Sequence, residues 1–272
     1  MLRELVLSDR VRLFTLGGDE LATSYGANCV AVRGERGTLL VDPLVAPAHA
    51  RQVEEALGRT GFPPVEEVVL THHHTDHALG AGLFGRRGTR VAAHRLCALS
   101  MAAEHPALVA ARRSDPRLSD LFSDAWPHRP GVLFEARHRL DLGGLPVEVR
   151  HLGHGHTPGD AVVVVPAEGL AVCGDLVLRG YHANYEDADR RGAREALRDL
   201  ALAAERFVPG HGEPGGPELL AAQAAYHEEV ERLSRAARTP AEAEEALRER
   251  FPGHLLEAAL PVAVRFFRGP AP

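Results

Sequence analysis

The run Thr71-His72-His73-His74-Thr75-Asp76-His77 puts four histidines and one carboxylate into seven positions. In an extended chain residues two apart point to the same side, so His72 and His74 are placed to grip one metal ion. Thr75 is a helix-capping residue type, and a helix starting there carries Asp76 and His77 in its first turn, facing a second ion beside the first. Imidazole nitrogens with one carboxylate suit zinc, and also iron, manganese or cobalt. His73, between the ligands, is expected to point away from the metals.

So short a loop cannot surround two ions, and the remaining ligands must lie far along the chain. Gly155-His156-Thr157-Pro158-Gly159-Asp160, Gly174-Asp175 and Gly210-His211-Gly212 each set a ligand-type residue beside glycine, where the backbone can approach an ion closely. Asp42, ahead of the motif, reads either as an aspartate that orients a ligand imidazole or as a surface turn. His154 either faces the site or has no role there. Tyr181, His182 and Tyr185, downstream of Asp175, are candidate substrate contacts or oxyanion donors.

The elements that must position these residues alternate between short strands and helices. Val30–Val32 and Thr38–Val41 read as a hairpin, followed by a helix bearing Val53, Ala56 and Leu57 and stopped at Gly58. Val65–Leu70 is a strand running into the histidine motif, and Arg90–Ala93 a strand leading into a helix near residues 95–103. Residues 105–131 have poor periodicity between Pro106 and Pro130 and read as a lid or as irregular packing. Val147–Arg150, Ala161–Val165, Leu170–Cys173 and Arg206–Val208 are strands, with a helix over about 191–204. Both halves thus deliver polar residues to the C-terminal ends of apolar strands. Beyond Pro217 the chain turns helical, with a stripe of Leu219, Ala222, Tyr226, Val230 and Leu233, and with Thr239-Pro240-Ala241-Glu242 as a helix start. The fold class is therefore α/β and layered, with residues 1–215 as a catalytic unit and 216–272 as a C-terminal helical extension.

All 31 basic residues are arginine, which excludes Schiff-base chemistry, a pyridoxal-phosphate anchor and a P-loop lysine. A net charge of −6 gives no basic field for phosphates, so a small molecule is expected as partner and nucleic acid is not. Cys29, Cys97 and Cys173 form no CxxC pair and read as buried thiols; Cys173 is a small hydrophobe in its strand. No apolar stretch approaches the roughly 20 residues of a membrane helix. The N-terminus lacks a signal-peptide pattern, so a cytoplasmic protein without a membrane partner is expected, with a homo-oligomer compatible.

The quoted segments, in their order HxHxDH, GHTPG, GD and GH, resemble the metallo-β-lactamase superfamily over about residues 26–212. The resemblance implies an αββα sandwich with the site at one edge of its two sheets. It implies that His72, His74 and His156 hold one metal, that Asp76, His77 and His211 hold the other, and that Asp175 bridges them. The cofactors it implies are two divalent ions, zinc first, with manganese or iron as alternatives. The implied activity is hydrolysis of a small ester, thioester, lactone or lactam by a metal-bridging hydroxide that Asp76 orients, with a phosphodiesterase or nuclease as the alternative.

Overall fold

The computed structural model describes residues 1–269, so that 270–272, the end of the helical extension, lie outside the described residues. In chain order its elements are β1 (Arg3–Val6), β2 (Val11–Thr15), β3 (Asn28–Arg33), β4 (Thr38–Val41), α1 (Pro47–Arg59), β5 (Val65–Val69), α2 (Thr75–Ala78), α3 (Ala81–Gly85), β6 (Arg90–His94), α4 (Arg95–Ser114), α5 (Ser119–Phe122) and β7 (Val132–Phe134). They continue as β8 (Arg137–Asp141), β9 (Pro146–Arg150), β10 (Val162–Val165), β11 (Leu170–Val172), α6 (Arg190–Ala201), β12 (Arg206–Val208), α7 (Glu218–Ala236), α8 (Pro240–Arg250) and α9 (Leu260–Arg268).

The first seven strands form one sheet in sequence order, and the other five form a second in the order β12-β11-β10-β9-β8. The period of two along each strand decides which layer a side chain joins. Val30 and Val32 of β3 point into the core between the sheets, where they meet Val149, Val163 and Val172 of the second sheet. Their neighbours Cys29 and Ala31 point outward and pack with Val53 and Leu57 of α1 and Met101 of α4. In β10, Val163 and Val165 face the first sheet while Val162 and Val164 face Leu197 and Leu200 of α6 and Leu219 and Leu220 of α7. Burial on both faces explains its unbroken valine run. Each such side chain contributes about 1.5–3 kcal/mol on leaving water. The result is the α/β layered architecture that the sequence led one to expect, two sheets face to face with helices on both outer sides.

Three local expectations are corrected. Residues 105–131 are not irregular at their start, because α4 runs through Pro106 to Ser114. Pro106 removes one backbone donor from the helix. Yet buried His105 Nε2 donates to His73 O at 2.7 Å and Val109 packs with Phe122 and Ala125, so tertiary contacts override the breaker. Thr75 is not the cap of α2 but lies in its first turn, with its Oγ1 accepting from Arg112 Nη2 at 2.7 Å. His72 sits in a bend just past the end of β5 and His74 at the N-cap of α2, so neither lies within an extended strand.

In the C-terminal part Thr239 Oγ1 accepts from Glu242 N at 3.1 Å and starts α8. Tyr226, Val230, Leu247, Leu260, Val264 and Phe267 of α7, α8 and α9 share one core with Leu178, Tyr181 and Tyr185 from the loop after Asp175. These helices therefore hold one wall of the region around the motif residues.

Buried histidines make this fold acid-sensitive. Burial lowers His49, His105, His182 and His227 to about 4 each. The unfolded chain takes up protons near the ordinary value of about 6.5. Between those values the unfolded state binds more protons, so stability falls as pH drops from about 6.5 towards 4. Asp160, which burial raises to about 6, and Glu104, raised by burial and by Asp187, oppose this, while His73 and His94, also lowered to about 4, add to it. The urea midpoint should therefore decrease steadily between pH 6.5 and pH 4.5; a constant or rising midpoint would contradict the assignment.

Candidate metal centre

Two strand pairings assemble the site. Val41 of β4 pairs with Val69 of β5 in parallel register, bringing Asp42 alongside Thr71. Val172 of β11 pairs with Val208 of β12 in the same way, bringing Gly174-Asp175 alongside Gly210-His211, and Gly210 N donates to Gly174 O at 2.8 Å. His156 comes from the loop between β9 and β10. That loop is tied by the buried Asp160 carboxylate, which accepts from the backbone N–H groups of Gly155, His156 and Thr157 and from the Thr157 hydroxyl.

His72, His74, His156 and Asp175 converge as one group of potential ligand atoms and Asp76, His77 and His211 as another. Donors about 2.0–2.1 Å from a tetrahedral zinc ion stand about 3.3 Å from one another. His77 Nε2 lies 3.2 Å from His211 Nε2 and 3.5 Å from Asp76 Oδ2, and His211 Nε2 lies 3.3 Å from Asp76 Oδ2. On the other side His156 Nε2 is 2.9 Å from His74 Nδ1 and 3.6 Å from Asp175 Oδ2. Asp175 Oδ1 is 3.2 Å from His77 Nε2 and 3.5 Å from His211 Nε2, so its two oxygens face different groups. His72 Nε2 and Asp175 Oδ1 are buried without a hydrogen bond of good geometry, as befits atoms whose partner is an ion. The donor set and its spacing fit two divalent ions.

A second layer fixes which nitrogen of each ring faces inward. Thr71 Oγ1 donates to Asp42 Oδ2 at 2.6 Å and therefore accepts from His72 Nδ1 at 3.0 Å, which leaves His72 Nε2 bare. Asp42 Oδ2 also takes His77 Nδ1 at 2.9 Å, so this aspartate orients two imidazoles and is no surface turn. His211 Nδ1 donates to Tyr25 O at 2.9 Å, and Ser24 Oγ donates to Asp76 O at 2.8 Å. His74 is held the other way round, with Nε2 3.3 Å from Asp187 Oδ2 and Nδ1 inward. Neither Thr71 nor Asp187 was singled out from the sequence. Ser24, Tyr25 and Asp42 have φ values of 58°, 50° and 54°, a left-handed conformation that costs non-glycine residues about 1–3 kcal/mol. The strain collects beneath the ligands.

Charge follows the same division except at His74, which Asp187 raises against its burial. Burial alone would discharge His77 and His211, but the Asp175 carboxylate, reinforced by Asp76, lifts His211 to about 9 and His77 well above its ordinary value. Burial and then repulsion from His74 hold His156 down to about 3. Despite its burial, Asp175 is held well below the usual carboxylate range by the His211 and His77 imidazoles. The carboxylates thus demand positive charge on the Asp76 side, and a cation can take the place of those protons.

Four of the candidate ligands, His74, Asp76, Asp175 and His211, floor a cleft of about 600 Å³ lined also by Tyr25, Glu104, Leu108, Leu178, Glu186, Asp187, Leu256 and Val262. Of the three tentative substrate contacts, His182 lines the cleft, 1% exposed, with Nδ1 3.0 Å from the Tyr226 hydroxyl. Tyr181 and Tyr185 do not line it. The Tyr181 hydroxyl donates to Gly18 O at 3.1 Å, and the Tyr185 hydroxyl is 2.6 Å from His227 Nδ1, its ring packed on Phe266 and Phe267. His154 is exposed and bonds Asp187 O through Nε2. His73 faces Glu104 and Asp187 rather than the ligand groups, and Cys173 is buried.

Fold and site together define an αββα sandwich with a histidine- and aspartate-built metal centre at the edge of its sheets. The chain belongs to the metallo-β-lactamase superfamily, whose family model matches residues 22–211. It is 27% identical over 188 residues to the 2,4-dinitroanisole O-demethylase subunit alpha of Nocardioides sp. (strain JS1661), covering 67% of this chain and 51% of that protein. It is 33% identical over 88 residues to the metallo-beta-lactamase type 2 of Bacteroides fragilis, covering 30% of this chain and 35% of that protein. The chain thus spans about half the length of the first relative and about a third of the second. Among solved structures, a metallo-beta-lactamase from Pontibacter korlensis matches with a TM-score of 0.68 at 23% identity, over 83% of this chain and 98% of that one. The structure of TMB-1 matches at 0.65 and 17% identity, over 82% and 95%. These likenesses are of fold.

Gly210 gives a direct test of how tightly the centre is built. A Cβ there would stand 1.8 Å from Asp175 Oδ1 and 2.8 Å from the Gly174 carbonyl carbon, so Gly210→Ala must displace the Asp175 carboxylate. Elemental analysis of the purified variant should find at least one metal equivalent fewer than in the wild type, with an unchanged far-UV circular dichroism spectrum. Full metal content in this variant would show that Asp175 does not sit where a shared ligand must.

Proposed function

We propose that the protein is a dinuclear metal-dependent hydrolase that cleaves a small acyl substrate: an ester, thioester, lactone or lactam. The observation that carries this reading is Asp175, whose two oxygens address separate histidine groups across 3.2–3.6 Å. His72, His74 and His156 would hold one ion, and Asp76, His77 and His211 the other, with Asp175 shared and zinc the first choice. Two divalent ions bound there supply Lewis acidity for a carbonyl oxygen, acidify a water and stabilise a leaving anion.

The chain's own residues do the positioning. Asp76 lines the cleft and is close to both His77 and His211, so its carboxylate is available to accept a hydrogen bond from the attacking water and orient it. Asp42, Thr71 and Asp187 hold three imidazoles in the tautomers that leave the inward nitrogens free. His182, neutral because burial lowers it to about 4, stands at the cleft wall as a group that could contact substrate. The relatives' names, an O-demethylase subunit and a metallo-β-lactamase, are compatible with a small-molecule substrate.

A phosphodiesterase on the same scaffold would need to collect repeated negative charge, normally with Lys or Arg. No arginine lines the cleft among the described residues, which supports acyl chemistry instead. A panel of activated esters, thioesters, lactones and β-lactams should include at least one substrate whose kcat/KM exceeds that of a bis-aryl phosphodiester by about 100-fold, a difference of roughly 2.7 kcal/mol in transition-state stabilisation. Chelator should abolish this activity and Zn or Mn restore it. Faster phosphodiester cleavage would overturn the acyl reading.

A further inference from the structure

One group of polar side chains at the cleft is not used by the metal centre. His73 lines the cleft but is only 1% exposed, and neither of its ring nitrogens has a hydrogen-bond partner. Its Nε2 lies 3.4 Å from Glu104 Oε2 and 3.5 Å from Asp187 Oδ2. A neutral imidazole has one protonated nitrogen and one lone pair free to accept. Burial and then the Asp187 carboxylate raise the pKa of Glu104, with Glu186 adding to the effect. Like charges converge beside an unfilled acceptor.

An ammonium group carries three N–H donors and one positive charge, and two carboxylates with one imidazole nitrogen answer both. The apolar side of the cleft fits the rest of such a molecule. Leu108, one turn along α4 from Glu104, is a large hydrophobic side chain left 38% exposed, and the C-terminal segment adds Leu256 and Val262 to the lining.

We propose that His73, Glu104 and Asp187 form a subsite for the ammonium group of an amphiphilic substrate, whose apolar chain lies against Leu108, Leu256 and Val262 while its carbonyl reaches the metal centre. Only the carbonyl end rests on the hydrolase reading; the subsite binds a cation with or without turnover. Glu104 is the residue to alter, since its side chain is 48% exposed and Asp187 also orients His74.

Three esters with one leaving group and one chain length, ending in ammonium, methyl or carboxylate, provide the kinetic arm of the test. The ammonium ester should exceed the carboxylate ester in kcat/KM by about tenfold or more, the order expected of two partly exposed charges. That ratio should shrink at high salt and in Glu104→Gln. In the binding arm, calorimetric titration of the metal-loaded protein should show hexylammonium bound about tenfold more tightly than hexylsulfonate, a preference lost in Glu104→Gln. If no ester is turned over but hexylammonium is still preferred, the subsite stands and the hydrolase reading falls. Turnover with the carboxylate ester preferred, and hexylsulfonate bound as tightly as hexylammonium, overturns the subsite and leaves the hydrolase. A third equivalent of divalent metal that disappears in Glu104→Gln would assign the cluster to a metal ion and likewise overturn the proposal.

Discussion

Oδ1 of the Asp175 carboxylate is buried where the two sheets end, and the carboxylate stands among five imidazoles contributed by His72, His74, His77, His156 and His211. A buried carboxylate without compensating positive charge costs several kcal/mol. Much of the surrounding architecture can be understood as supplying that compensation from two sides. Parallel pairing of β11 with β12 sets Asp175 next to His211, and Gly210 lets the backbone pass close enough for Oδ1 to reach it. The two oxygens then divide the site, and four of the five imidazoles follow, raised at His77 and His211 and lowered at His72 and His156, while His74 is raised against its burial by the hydrogen bond to Asp187.

Holding five rings in fixed orientations requires a second layer, and that layer is where the backbone is strained. Asp42, Ser24 and Tyr25 adopt left-handed conformations, and each supplies a contact to a ligand residue: His77, Asp76 and His211 respectively. Leu256, which lines the cleft, has φ of 60° and shares the feature. Such strain persists only where surrounding packing over-determines it. The inter-sheet core and the helical core that joins α7, α8 and α9 to the loop after Asp175 provide that packing.

The residues that converge at the candidate centre were legible in the sequence because their signals are local: histidines at fixed spacing, or one ligand type beside glycine after an apolar strand. The layers were legible for the same reason, since alternating burial is written along β3 and β10 residue by residue. Contacts made across the fold left no such trace. Asp187 meets His74 across 113 positions of sequence, and nothing in its neighbourhood marks it as an orienting group. Thr71 stands in the sequence only as the first residue of the histidine motif, and the partner that gives it a role, Asp42, comes from just past the end of β4. Pro106 argued for a helix stop, and only the bond from His105 to His73 O and the packing of Val109 show why α4 continues. Tyr181 and Tyr185 were drawn towards the site by proximity in sequence to Asp175, but the C-terminal helices, far along the chain, draw Tyr185 into their own core, and Gly18 takes the Tyr181 hydroxyl.

That one carboxylate serves two cation positions is the claim from which the rest follows. Titration of the metal-free protein with zinc, followed by calorimetry and by elemental analysis after gel filtration, tests it most directly. About two equivalents should bind per chain, the number set by two complete donor groups. In Asp175→Asn, which keeps the size of the side chain and removes its charge, both equivalents should weaken together. One equivalent bound by the wild-type protein, or an Asp175→Asn variant that keeps one site at full affinity, would contradict a shared carboxylate.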